Sequence, residues 1–179
     1  MSKRKPIRVM VVDDAPLIRQ LLIDSLGAQG DMEVVAVAED GEQALELVRL
    51  HNPEVITLDL QMPRMNGLET LEQLLQIAPT PVIVVSSLTQ RAADVTLQAL
   101  DRGAMDYVAK PEGLAEANRV FTEELPAKIR NMAGADVMRV LKYRKSRQQA
   151  AETARPFAAN SLQTSRLTNG CIAIGVSTG

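Results

Sequence analysis

Ile7-Arg8-Val9-Met10-Val11-Val12-Asp13-Asp14 is an apolar run of strand length that stops on two carboxylates. Consecutive rather than alternating apolar residues are what a strand covered on both faces requires. Two further runs are built the same way. Residues 54–58 lead into Asp59, and residues 81–85 lead into Ser86 and Ser87. Residues 33–38 and 107–109 are shorter β-rich stretches. Between these runs the apolar period lengthens to that of a helix. Residues 16–28 set Leu17, Leu21, Leu22 and Leu26 on one side, and 42–50, 67–77, 91–102 and the segment from about 112 onward follow as helices. Gly30, Gly41, Pro53, Gly67, Pro79, Gly103 and Pro111 punctuate the junctions. Strands alternating with amphipathic helices predict an α/β fold of five βα units around a parallel sheet, with helices on both faces.

The 179 residues are 46 % hydrophobic and 23 % charged, enough for a packed core. Aromatic residues make up only 2 %, too few for a base-stacking nucleic-acid surface. The single cysteine, Cys171, excludes a disulfide framework and a cysteine-ligated zinc site. No apolar run approaches the ~18 residues that a membrane span needs. The basic start Lys3-Arg4-Lys5 is followed by too short an apolar stretch for a signal peptide. A soluble, cytoplasmic protein without membrane insertion is the expectation.

Charge is divided along the chain. Residues 1–125 hold 11 Lys and Arg against 20 Asp and Glu, whereas residues 126–179 hold 9 against 2. An acidic domain over 7–125, a basic polar linker over 126–169 with helical character to about 149, and a new beginning at 170–179 account for this division. Cys171-Ile172-Ala173-Ile174 has the look of a buried strand. A lone core strand is not stable, so the expectation is a chain cut just inside a second α/β domain.

In the flavodoxin-like strand order 2-1-3-4-5 the first and third strands are neighbours, and ligands bind beyond the carboxyl ends of the strands. That order brings Asp13, Asp14 and Asp59 together. An aspartate after a strand often only caps the next helix. Three in one pocket repel each other, and a hard divalent cation such as Mg²⁺ relieves the repulsion. Lys110, at the end of the fifth strand, faces them and suits an oxyanion. Ser86 and Ser87 end the fourth strand, and either supplies a hydroxyl. A cis Lys110–Pro111 peptide would fix the lysine's aim. Phosphate-cradling glycine motifs are missing from the sequence. A lone acceptor carboxylate beside a metal-binding pair suits formation of an aspartyl phosphate.

Val11-Val12-Asp13-Asp14, then Asp59-Leu60-Gln61-Met62-Pro63-Arg64-Met65-Asn66-Gly67, then Ser86, Tyr107 and Lys110-Pro111 resemble the receiver domain of two-component response regulators. The resemblance implies a flavodoxin-like (βα)5 receiver. It implies that Asp59 accepts a phosphoryl group from a chemotaxis histidine kinase. Asp14, Asp59 and the Gln61 backbone carbonyl would hold Mg²⁺, with Asp13 shaping the ion's outer shell. Ser86 and Lys110 would grip the phosphoryl oxygens, and Tyr107 would change rotamer as Ser86 moves.

Gly175-Val176-Ser177-Thr178-Gly179 fits G-x-S-x-G, a serine on a tight turn after a strand. Following a receiver and a polar linker, and with Ser86-Ser87-Leu88-Thr89 upstream, this order resembles the chemotaxis protein-glutamate methylesterases. The resemblance implies a C-terminal serine hydrolase domain with Ser177 as nucleophile. Such a domain hydrolyses methyl esters and deamidates glutamines on methyl-accepting chemoreceptors, and its own receiver inhibits it until Asp59 is phosphorylated. A triad needs a histidine. The only one is His51, in a turn of the receiver. This chain by itself is therefore expected to lack esterase activity. The alternative output is non-enzymatic, a DNA- or protein-binding domain.

Overall fold

The computed structural model describes residues 5–153 apart from 64, 88 and 112. Five strands form one parallel sheet: β1 (Ile7–Val12), β2 (Met32–Ala38), β3 (Val55–Asp59), β4 (Val82–Ser86) and β5 (Asp106–Ala109). Their order is β2-β1-β3-β4-β5, the flavodoxin-like arrangement expected. Because β1 and β3 are adjacent, with Val12 opposite Leu58, their ends open at the same edge. On the other side of β3, Asp59 pairs with Val85, and Ser86 pairs with Ala109 just before Lys110.

Helices cover both faces. On one, α2 (Gly41–His51), α3 (Gly67–Ile77) and α4 (Gln90–Arg102) bury Val48, Leu71, Leu74 and Ala99 against Met10, Ile56, Leu58 and Val84. Asp40, Asn66 and Thr89 start these helices, each side chain accepting the backbone N–H three residues on. Such caps are each worth about 1 kcal/mol. On the opposite face, α1 (Pro16–Gly27) and the C-terminal helices bury Leu22, Leu26, Phe121, Leu125 and Ile129 against Val9, Val11, Ile83 and Val108. Leu17, expected on the buried side of α1, is instead 71 % exposed. The buried face of α1 runs through Ile18, Leu22, Ser25 and Leu26, and Leu17 lies off it.

The expected last helix is not one continuous α-helix. After α5 (Leu114–Arg119) the chain makes a π-helical turn, Val120–Glu124, before α6 (Leu125–Met132). Pro126 is the physical reason. It has no N–H for the Thr122 carbonyl, and its ring crowds that carbonyl. Leu125 N–H reaches five residues back to Val120 instead, and the Gln29 side chain donates to the Thr122 carbonyl at 3.2 Å. The fully buried Leu125 and Ile129 carry this core up to and past residue 125.

A further helix, α7 (Val137–Thr153), begins with the buried Val137. Its Leu141 side chain abuts Gly103, the C-cap of α4 at φ +124°. A Cβ at Gly103 would meet the terminal methyls of Leu75 and Leu141 at 2.7 and 2.8 Å, which can shift, so it is the backbone angle that requires glycine. The compact unit ends at Tyr143 and a second begins at Arg144. The strand expected at 171–174 and the turn carrying Ser177 lie outside the described residues. No helix among the described residues is long and apolar enough to cross a membrane.

Candidate functional site

The last residue of β3 and the residue following β1 are aspartates as deeply buried as the core. Asp13 is 0 % and Asp59 2 % exposed, and one oxygen from each of Asp13, Asp14 and Asp59 lies within 4.8 Å of the others. Backbone geometry aims them. Asp13 N–H donates to the Ala38 carbonyl, and Asp13 Oδ1 accepts Ala15 N–H at 2.9 Å. Asp59 Oδ1 likewise accepts Gln61 N–H at 2.9 Å. Asp13 thus also shapes the turn into α1, while its second oxygen faces the cluster.

Gly67 closes the loop after β3. A Cβ there would fall 2.3 Å from Leu60 Cα and 2.5 Å from the Asp59 carbonyl oxygen, so the N-terminus of α3 can approach the site only without a side chain.

Lys110 follows β5, its N–H donating to the Ser86 carbonyl at 2.7 Å. Its ammonium spans the cluster, 2.7 Å from Asp59 Oδ2 and 2.8 Å from Asp13 Oδ2. No peptide bond among the described residues is cis, so the expected cis Lys110–Pro111 is corrected to trans. The aim of Lys110 comes from the strand pairing and from its two carboxylate partners.

The electrostatics are unbalanced. Burial pushes the Asp59 carboxyl above its ordinary value; Asp13 adds to the rise, while Lys110 and the Gln61 N–H oppose it. Burial pulls Lys110 down, but Asp59 and Asp13 outweigh that and hold its ammonium above its ordinary value. Among the described residues one cation, Lys110, contacts the three-carboxylate cluster. Like charges at this separation repel by about 3–4 kcal/mol per pair at an effective dielectric constant near 20. An all-oxygen donor set with net negative charge fits a hard divalent cation such as Mg²⁺.

Ser86 and Ser87 are separated by their surroundings. Ser86 is 3 % exposed, and its Oγ has no hydrogen-bond partner among the described residues. A buried hydroxyl left so costs about 1–3 kcal/mol unless a ligand meets it. Ser87 Oγ instead donates to Gln61 Oε1 at 3.3 Å. Behind Ser86 lies a groove of about 250 Å³ lined by Ala93, Thr96, Leu97, Leu100 and Ala109. Tyr107 stands at its mouth, 48 % exposed. His51 is remote from this site; it ends α2, and the Arg8 guanidinium donates to its carbonyl.

Two residues went unnoticed in the sequence. Arg19 Nη1 donates to the Asp13 carbonyl at 2.7 Å, bracing the loop that presents Asp13 and Asp14. Lys128 lies over the Tyr107 ring, 5.5 Å from its centre. Arg19 was detectable as the one cation in the first two turns of α1. Nothing local marked Lys128.

Residues 9–120 match the family model of the response regulator receiver domain. The chain is 44 % identical to the response regulator domain of Thermotoga maritima CheB in its crystal structure, at a TM-score of 0.67, covering 74 % of this chain and 99 % of that one. It is 41 % identical over 180 residues to protein-glutamate methylesterase/protein-glutamine glutaminase 1 of Xanthomonas euvesicatoria pv. vesicatoria, covering all of this chain and 50 % of that protein. It is 42 % identical to protein-glutamate methylesterase/protein-glutamine glutaminase 2 of Pseudomonas aeruginosa over 97 % of this chain and 47 % of that protein. The chain spans about half the length of the curated relatives it matches.

Proposed function

The chain belongs to the response regulator receiver family, and from that premise we propose that it is the phosphorylation-controlled regulatory part of a chemoreceptor methylesterase. Asp59 is the acceptor. One of its oxygens bonds to the phosphorus of a kinase phosphohistidine as the P–N bond breaks, and that electron pair stays on the imidazole nitrogen. Asp14, Asp59 and the Gln61 carbonyl would hold Mg²⁺, with Asp13 behind, and the ion would supply charge neutralisation for the transferring group. Lys110 turns from the carboxylates to a phosphoryl oxygen, and the unpartnered Ser86 Oγ donates to another. Burial of Asp59 limits water's access to the acyl phosphate. With Ser86 drawn toward the phosphoryl group, the groove behind it receives the Tyr107 ring.

The observation carrying this reading is the buried Asp59–Lys110 pair inside a three-carboxylate cluster, beside a hydroxyl lacking a partner. The names of the relatives support the output. A C-terminal catalytic domain with Ser177 as nucleophile would act on methyl-accepting chemoreceptors in the cytoplasm and be released by phosphorylation of Asp59. With no second histidine for Ser177, the 179-residue chain alone releases no methanol from methylated receptors. The test is phosphotransfer from a phosphorylated chemotaxis histidine kinase. Loss of label from the kinase and its gain by the chain, abolished by EDTA and by Asp59→Asn, is the expected result. Transfer that survives Asp59→Asn would refute the assignment.

A further inference from the structure

Tyr107 is 48 % exposed although it lines an apolar groove of about 250 Å³. Burying a phenol ring is favourable by itself, so something holds the ring out. Ser86 lines the groove and is one restraint; the Ala, Leu and Thr side chains beside it carry no charge. On the ring's outer side stands Lys128, from the second turn of α6. Its Nζ is 5.5 Å from the ring centre. It is 2.9 Å from Asp106 Oδ1 and 3.9 Å from Glu124 Oε1. Asp106 Oδ1 also accepts the N–H of Tyr107 at 2.8 Å. One carboxylate therefore ties together the backbone beneath the ring and the ammonium above it. With a side chain only 25 % exposed, Lys128 is partly desolvated, which strengthens the attraction of its charge for the ring face.

We infer that Lys128 is a positioning residue that latches Tyr107 outward and so sets how much of the switched conformation exists before phosphorylation. This deepens the proposed function and rests on its Tyr107 movement. When the ring enters the groove it leaves Lys128 behind, still paired with Asp106 and Glu124. The loss of the ring contact opposes the switch. In the α6 that follows the π-helical turn, Lys128 pairs with Asp106 of β5 while Ile129 is buried in the core.

The test uses the full 179-residue chain carrying 3-fluorotyrosine with Tyr143→Phe, so that Tyr107 gives the single fluorine resonance. Its inward fraction is measured at rest and with Mg²⁺ plus beryllium fluoride as phosphoryl mimic. Lys128→Met is expected to raise the resting inward fraction about two- to fivefold. Lys128→Arg, which keeps a cation over the ring, returns it toward the unsubstituted value. Thermal melts of both variants exclude a general loss of packing. An unchanged resting fraction in Lys128→Met, while the parent chain still shifts with beryllium fluoride, would overturn the latch and leave the switch intact. A parent chain whose resonance does not shift on loading would overturn both.

Discussion

Leu58 and Asp59 are neighbours on one strand and almost equally removed from water, at 0 % and 2 % exposure, yet they are buried for opposite reasons. The same contrast recurs between Val12 and Asp13 and between Val85 and Ser86. Up to the penultimate position the strands bury apolar side chains whose packing stabilises the fold. At the carboxyl ends they bury carboxylates and a hydroxyl whose needs the folded chain meets only in part. The sheet's packing supports an unfavourable cluster, which the proposed function completes with a cation and a phosphoryl group. Stability and function therefore sit one residue apart, and substitutions should separate them.

The largest expected effect is on the packing side. Phe121→Ala should cost about 3–5 kcal/mol in chemical denaturation. Below its lowered Tm, the variant should still accept a phosphoryl group. Concurrent loss of both properties in folded protein would break the contrast.

On the other side, Lys110→Met should slow phosphoryl acceptance by about 10²–10³-fold, the usual loss when one oxyanion donor is removed. With its only ammonium gone the cluster becomes more negative, so isothermal titration should show tighter Mg²⁺ binding. Weaker binding in the variant would contradict the charge balance described above.

The pH dependence of the unliganded chain carries the contrast further. Because burial raises the Asp59 carboxyl in the folded state, folding favours its protonated form. Stability should therefore fall as pH rises through the interval from the ordinary aspartate value to the raised one. Asp59→Asn should remove that slope and leave the chain more stable at neutral pH. Over the same range, Mg²⁺ affinity should run the other way, weakening as pH drops.

The smallest effect belongs to the surface. Arg130 forms a fork with Asp31 at 2.7 and 2.9 Å and lowers its carboxyl, across a pair about half exposed. This contribution is present above the ordinary aspartate value and disappears as pH falls through the lowered one. Arg130→Ala should cost about 0.2–1 kcal/mol at neutral pH and nothing in phosphoryl acceptance.

Why some of this was legible in the sequence follows from the same contrast. A mostly apolar strand that ends abruptly on Asp13 or Asp59 states its position and its chemistry together, so the carboxylates were legible locally, while their clustering rested on the flavodoxin-like strand order. Lys110 was legible for the same reason. The doublet Ser86-Ser87 needed the pairing of Ser86 with Ala109 to show which hydroxyl turns inward. The π-helical turn was not legible, because it depends on Pro126 displacing a carbonyl that Gln29, 93 residues away, then takes. Leu17 kept the helical period but lies off the face that Ile18, Leu22 and Leu26 bury. Lys128 reaches Tyr107 from α6, 21 residues along the chain and beyond the π-helical turn, so no local pattern announced it.

The measurement that bears most directly on the central claim is the intact mass of the chain after incubation with Mg²⁺ and a small acyl phosphate. It is made beside Asp59→Asn and beside a sample lacking Mg²⁺. The account predicts a gain of one phosphoryl group in the parent chain with Mg²⁺, and none in either control. An equal gain in Asp59→Asn, or no gain in folded parent chain, would contradict it.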